Sequence, residues 1–128
     1  MTIVLDSGGV SSLAVDRRRV AALRQSGLWP PVVPAAVLVE SLTGDHRRDF
    51  HVNRLLNGCL IAEVDEEVSR HAALLRTKTG RASKISAVDA IVVAMASTVS
   101  EPVVITSDPR DISDLSDQLD TPINVSKV

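Results

Sequence analysis

Aromatic side chains are almost missing from this 128-residue chain. Trp29 and Phe50 are the only two, and there is no tyrosine. That scarcity excludes modules that hold single strands by stacking bases on rings. Cysteine is equally scarce. A lone Cys59, in NGCLIAEV, closes no internal disulfide, so a reducing, cytoplasmic setting is expected. A small core apolar role suits it better than nucleophilic work. There is no excess of basic charge: 14 Lys and Arg stand against 16 Asp and Glu, a net charge of -2. A uniform coat for nucleic acid is thereby ruled out. No apolar run approaches the roughly 20 residues of a membrane span, and the start, MTIVLDSGG, lacks the basic-then-apolar order of a secretory leader. His46, His51 and His71 have no zinc-type spacing. Neither G-x-G-x-x-G nor G-x-x-x-x-G-K-[ST] occurs.

What is present is an ordinary globular composition, 45% hydrophobic and 23% charged. Residues 1–128 read as a single domain, because compact domains cluster near this length. Short β-like runs alternate with helical ones. TIVLD is a buried strand that ends at Asp6, and DSGGVSSLAV turns into a helix. DRRRVAALRQSG continues as an amphipathic helix stopped at Gly27. PPVVP brackets a very short strand. AAVLVESLTG is a helix with Pro34 near its first turn and Gly44 after its end. DHRRDFHVNRLLNG is a helix with Phe50, Leu55 and Leu56 on its apolar side, and CLIAEV is a strand. DEEVSRHAALLRTKTG has acids in its first turn and bases in its last, the order that a helix dipole favours. Residues 86–99 form an apolar helix, PVVITSD a buried strand, DPRDISDLSDQL a short acidic helix and PINV a last strand. This alternation predicts an α/β fold with a largely parallel sheet.

Four acids interrupt apolar surroundings. In open α/β sheets, ligands bind outside the carboxyl ends of the strands. Asp6 ends the first strand and Asp108 follows PVVIT, so the two are predicted to share one sheet edge. Each acid also has a plain structural role open to it. Asp6 suits an Asx-turn in DSGG. Asp108 suits a helix N-cap, with Pro109 at N1 and Asp111 at N3. Glu40, in PAAVLVESL, suits a solvent-facing helix position. Asp89, in ISAVDAIVVAMAS, suits the second half of a capping pair with Ser86. The helix after Asp89 is apolar on every face, however, which indicates burial, and a buried carboxylate must be paired, protonated or on a metal. Gathered in one pocket, four carboxylates repel one another unless a cation joins them. A hard divalent ion with oxygen ligands, Mg²⁺ or Mn²⁺, resolves that conflict.

The series IVLDSGG, AAVLVESL, SAVDAIVVAMA and ITSDPRDI resembles the PIN-domain ribonucleases, and in size and order of segments it is similar to the VapC-type toxins. The resemblance covers nearly the whole chain. It implies a three-layer α/β/α fold with a central, mainly parallel sheet. It further implies metal-dependent endonucleolytic cleavage of RNA, a homodimer, and a small antitoxin protein that blocks the acidic pocket. The family's first three acids carry over to Asp6, Glu40 and Asp89, and the fourth to Asp108, with Asp6, Asp89 and Asp108 as metal ligands. Thr106 and Ser107 match hydroxyl residues that accompany that fourth acid, and Asp111 is placed to support it or stand in for it. Gly8 departs from the family pattern, which often has a small polar residue there.

Arg76, Lys78, Arg81 and Lys84, in RTKTGRASK just before Asp89, offer a basic patch for RNA phosphates. A helix end with a solvated loop explains them equally well. The run Arg17–Arg19 is a second, weaker patch. The expected chemistry is attack of a metal-activated water on a phosphodiester. A PIN-like binding or scaffold module without activity is the alternative. Other acidic α/β classes fit less well. A receiver domain needs adjacent acids after its first strand, where Leu5 precedes Asp6. An aspartate-nucleophile phosphatase needs a second Asp where Gly8 stands.

Overall fold

Five short runs rich in β-branched residues pair into one all-parallel sheet in the computed structural model, which describes residues 1–128. The strands are β1 (Thr2–Leu5), β2 (Val32–Pro34), β3 (Leu60–Ala62), β4 (Pro102–Thr106) and β5 (Asn124–Lys127), in the order β3-β2-β1-β4-β5. Between them lie α1 (Ser7–Ala14), α2 (Arg17–Gln25), α3 (Val37–Ser41), α4 (Phe50–Leu56), α5 (Glu66–Lys78), α6 (Ala87–Ala96) and α7 (Pro109–Ser116). Parallel pairing demands crossovers, and crossovers are right-handed. The chain first steps from β1 to β2 and β3, which puts α1–α4 on one face. It then crosses back to β4 and β5, which puts α5–α7 on the other. The packing agrees: α1 lies against α2, α3 and α4, and α6 lies against α5 and α7. The expected three-layer α/β/α architecture is the observed one.

Both faces of the inner strands are covered, so they read as unbroken apolar runs. Val4, Leu5, Val33 and Val104 are fully buried, as are Val92, Val93 and Ala94 of α6. The direction of winding reverses between β1 and β4, where Leu5 lies opposite Ile105. That is the switch point at which such sheets open a crevice beyond their carboxyl ends. Glycine makes the crevice narrow. A Cβ on Gly9 would stand 2.4 Å from the Ile105 carbonyl oxygen, and one on Gly8 would stand 2.0 Å from Ser107 Oγ. The first turn of α1 therefore lies directly against the end of β4, which no larger residue permits.

Three expectations need correction. Pro34 is the last residue of β2 rather than part of a helix, and α3 is only five residues long. The segment 46–49 is turn, so α4 begins at Phe50. Phe50 is 57% exposed and meets His51 edge-on instead of the core. Its position at the first residue of α4 points it away from the seam that Leu55 and Leu56 fill.

Candidate active site

Asp6 is the first residue beyond β1 and only 5% exposed. It is the N-cap of α1, and its Oδ1 accepts from the Gly9 N–H at 2.7 Å. Burial raises its pKa. The neighbouring Thr106 hydroxyl and the Gly9 N–H oppose that rise, and the charge of Glu40 adds to it. Thr106, fully buried at the end of β4, accepts from the Asp108 N–H at 3.0 Å. One hydroxyl thus stands between the acid after β1 and the backbone of the acid after β4. Asp108 itself is exposed and caps α7, with Pro109 in its first turn.

Asp89 lies in the first turn of α6, which runs antiparallel to the strands and so starts at the same edge. Ser86 caps that helix, accepting from the N–H groups of Val88 at 3.1 Å and Asp89 at 3.3 Å. The reciprocal half of the expected capping pair is missing: the Asp89 carboxylate receives no hydrogen bond from any group of the protein and has no ion pair. Burial pushes its pKa up to about 6, helped by the charges of Asp6, Glu40, Asp111 and Asp108. Five acids from four elements therefore act on one another across the switch point. Glu40 stands exposed on α3 at the rim. The N-terminal ends of α1, α6 and α7 all point into this edge, and their dipoles offset part of the negative charge.

The acids converge without closing into a chelate. No group of three or more His, Cys, Asp or Glu side chains is set to hold a metal ion. Beside Glu40 lies an open depression of about 610 Å³, lined by Ser7, Ser11, Ser12 and Ser107. A more enclosed cleft of about 280 Å³ lies between α1, α2 and α4, lined by Leu13, Val20, Trp29, Arg17, Arg24 and Arg54 among others. It holds no acid, so carboxylate chemistry belongs to the crevice and not to the cleft.

The basic patch before Asp89 divides in two. Lys78 and Lys84 are exposed. Arg76 donates through Nε to the Ile85 carbonyl at 2.7 Å. Arg81 pairs with Asp111, Nη2 to Oδ1 at 3.0 Å, and with Asp114. Arg17 and Arg18 are exposed at the start of α2.

Two acids escaped sequence reasoning. Asp49 is 4% exposed, and its carboxylate accepts from the Thr43 N–H and hydroxyl and from the Gly44 N–H at 2.8–3.0 Å, closing the loop after Glu40. The TGDHRRD stretch, dense in turn-formers, carried that signal. Asp114 shares a helix face with Asp111, three residues away, a spacing that was visible in SDPRDISD.

The family model described as PIN domain matches residues 3–117. No curated protein matches the chain in sequence. Solved structures share its fold. A DNA-bound VapBC from Salmonella typhimurium aligns with a TM-score of 0.72 at 12% identity, over 99% of this chain and 98% of the other. VapBC-1 from nontypeable Haemophilus influenzae aligns with a TM-score of 0.70 at 16% identity, over 99% and 98%. FitAcB from Neisseria gonorrhoeae aligns with a TM-score of 0.62 at 20% identity, over 97% and 96%.

Proposed function

We propose, from the premise that this chain belongs to the PIN-domain family, that it is a divalent-metal-dependent endoribonuclease and the toxin of a toxin–antitoxin pair. One observation carries the reading. Asp89 is a half-buried carboxylate with no donor from the protein, facing four other acids. A residue in that position destabilises the empty site and needs a cation.

The donor chemistry fits Mg²⁺, or Mn²⁺ in its place. Every candidate ligand is a hard oxygen, and Mg²⁺ takes few carboxylates directly while keeping several waters. A spread set of acids suits that habit better than it would suit a fully caged ion. Asp6, Asp89 and Asp108 would hold the ion, with Glu40 at the rim. When bound, such an ion supplies Lewis-acid stabilisation of phosphoryl charge and a water of lowered pKa.

The chain's own groups do the rest. Gly9 and Thr106 orient Asp6, and Ser86 fixes the start of the helix that carries Asp89. The hydroxyls of Ser7, Ser11, Ser12 and Ser107 line the depression beside Glu40, where they can donate to phosphate oxygens. Lys78 and Lys84 remain free to attract RNA, whereas Arg76 and Arg81 are engaged inside the protein.

The proposed partners are an RNA substrate, a cognate antitoxin and a second copy of the chain. The likeness to VapBC and FitAB complexes supports the antitoxin. No helix is long and apolar enough to cross a membrane, and the proposed setting is the cytoplasm.

The test is cleavage of end-labelled structured RNAs with Mg²⁺, Mn²⁺ or chelator, using Asp89→Asn as control. Discrete metal-dependent cuts that vanish in the variant are expected. Equal cutting by the variant sinks the assignment. A second reading, a PIN-like scaffold without activity, draws on the absence of three acids set around one point. It predicts no stabilisation by divalent ions, whereas the enzyme reading predicts a clear gain.

A further inference from the structure

Arg81 lies on the turn between α5 and α6, and the chain fixes it from several sides. Its N–H donates to Thr79 Oγ1 at 3.1 Å. Its carbonyl accepts from the N–H groups of Lys84 and Ile85 at 2.8 and 3.0 Å. Its guanidinium reaches across to α7 and bridges Asp111 and Asp114. These are not loose surface charges: Arg81 is 28% exposed and Asp111 20%. Acids three apart on a helix present one face, and a guanidinium fork fits two oxygens on such a face better than an ammonium does.

This pairing bears on a choice that spacing alone leaves open. Asp111 and Asp108 both stand at the start of α7, and the charges of both reach Asp89. Only one of the two is engaged by a cation. The Asp111 Oδ1 is taken by Arg81, whereas the Asp108 carboxylate meets only the Arg110 N–H, at 3.3 Å.

We propose that Arg81 is a positioning residue of the acidic site: by holding Asp111 against the α5–α6 turn, it withdraws that acid from ion binding and leaves Asp108 as the ligand that α7 supplies. The inference rests on the metal-dependent reading above and deepens it. Removing the guanidinium frees a carboxylate beside Asp89, so the site gains a ligand and binds a cation more tightly, with a different ligand set.

The experiment is thermal unfolding of the full-length chain against a Mn²⁺ titration, which reads ion binding without any RNA. The variants are Asp108→Asn, Asp111→Asn, Arg81→Met, Arg81→Lys and the Arg81→Met/Asp111→Asn pair. Asp108→Asn is expected to lose most of the Mn²⁺ response and Asp111→Asn to keep it. Arg81→Met, which retains the aliphatic stem, is expected to bind Mn²⁺ several-fold more tightly, and adding Asp111→Asn should cancel that gain. Arg81→Lys, with a single point charge, should fall between. A merely structural arginine would lower the melting temperature equally with and without Mn²⁺, and Asp111→Asn would not alter that.

Two results overturn the inference: unchanged Mn²⁺ affinity in Arg81→Met, or equal losses in Asp108→Asn and Asp111→Asn. The second comparison leaves Arg81 untouched, so it decides even if the arginine variants fail to fold. Failure of the wild type itself to respond to Mn²⁺ overturns the metal reading, and this inference with it. A responsive wild type with an indifferent Arg81→Met overturns this inference alone.

Discussion

Replacing Asp89 by Asn should make the metal-free protein more stable while abolishing the proposed RNA cleavage. The carboxyl titrates at about 6 instead of 3.8, a shift that corresponds to about 3 kcal/mol if wholly expressed as stability. Asp89 is only partly buried, and water screens it, so about 1–2 kcal/mol is the expected gain. For a chain of this length, that is a rise of roughly 3–8 °C in Tm. The sign follows from linkage. The folded state keeps the proton to higher pH than the unfolded state, so wild-type stability falls as pH rises from about 4 to 6 and then levels off. The gap between variant and wild type should therefore be absent near pH 4, grow through pH 6 and stay constant above it. Unfolding in urea with chelator, at a series of pH values, measures this directly. Added Mn²⁺ should lift the wild type and leave the variant unmoved. A variant no more stable than wild type at neutral pH with chelator would refute the claim that Asp89 is an uncompensated charge.

Other perturbations test the supports of the site. Thr106→Val removes a buried acceptor from the Asp108 N–H and should cost about 1–3 kcal/mol in urea unfolding and reduce RNA cleavage, while Thr106→Ser should restore much of both. Gly9→Ala places a Cβ 2.4 Å from a β4 carbonyl and should destabilise by about 1–3 kcal/mol, whereas alanine at Gly27, where nothing lies within 4 Å, should lack that clash and show only the cost of its backbone angle. Asp49 has a lowered pKa, with hydrogen bonds from Thr43 and Gly44 outweighing desolvation. Its contribution is present above pH 3.8 and lost as pH falls below that. Asp49→Asn should open the 42–49 loop, seen as faster tryptic cutting at Arg47 and Arg48.

Much of this was readable from the chain because the signals were local. Strand-end acids declare themselves by the apolar run that they terminate, and Ser86 announces the helix that carries Asp89. Alternation of runs was enough for the layers, since parallel strands and right-handed crossovers leave few arrangements. What stayed hidden depended on partners far apart in sequence. The Arg81–Asp111 pair spans 30 positions, so an arginine that looked like a phosphate contact is an internal tether. Gly8 looked like a missing polar contact, yet its lack of a side chain makes room for Ser107. Phe50 misled because hydrophobicity was taken as burial, and single exposed apolar residues are ordinary. The missing return bond from the Ser86 N–H to the Asp89 carboxylate could not be read from a capping motif, which specifies spacing and not rotamer.

The β1–β4 pairing has a consequence in time. Thr2 lies beside Pro102, so β1 finds one of its two neighbours only after about 100 further residues have been made. Contacts so distant in sequence are slow to form. At ribosomal rates of about 5–20 residues per second, roughly 5–20 s separate the two strands. Until β4 emerges, Asp6 has neither Thr106 nor Asp108 beside it and the crevice does not exist. The proposed nuclease site therefore cannot assemble until β4 is out, which leaves an interval for a waiting partner to meet the fold as it closes.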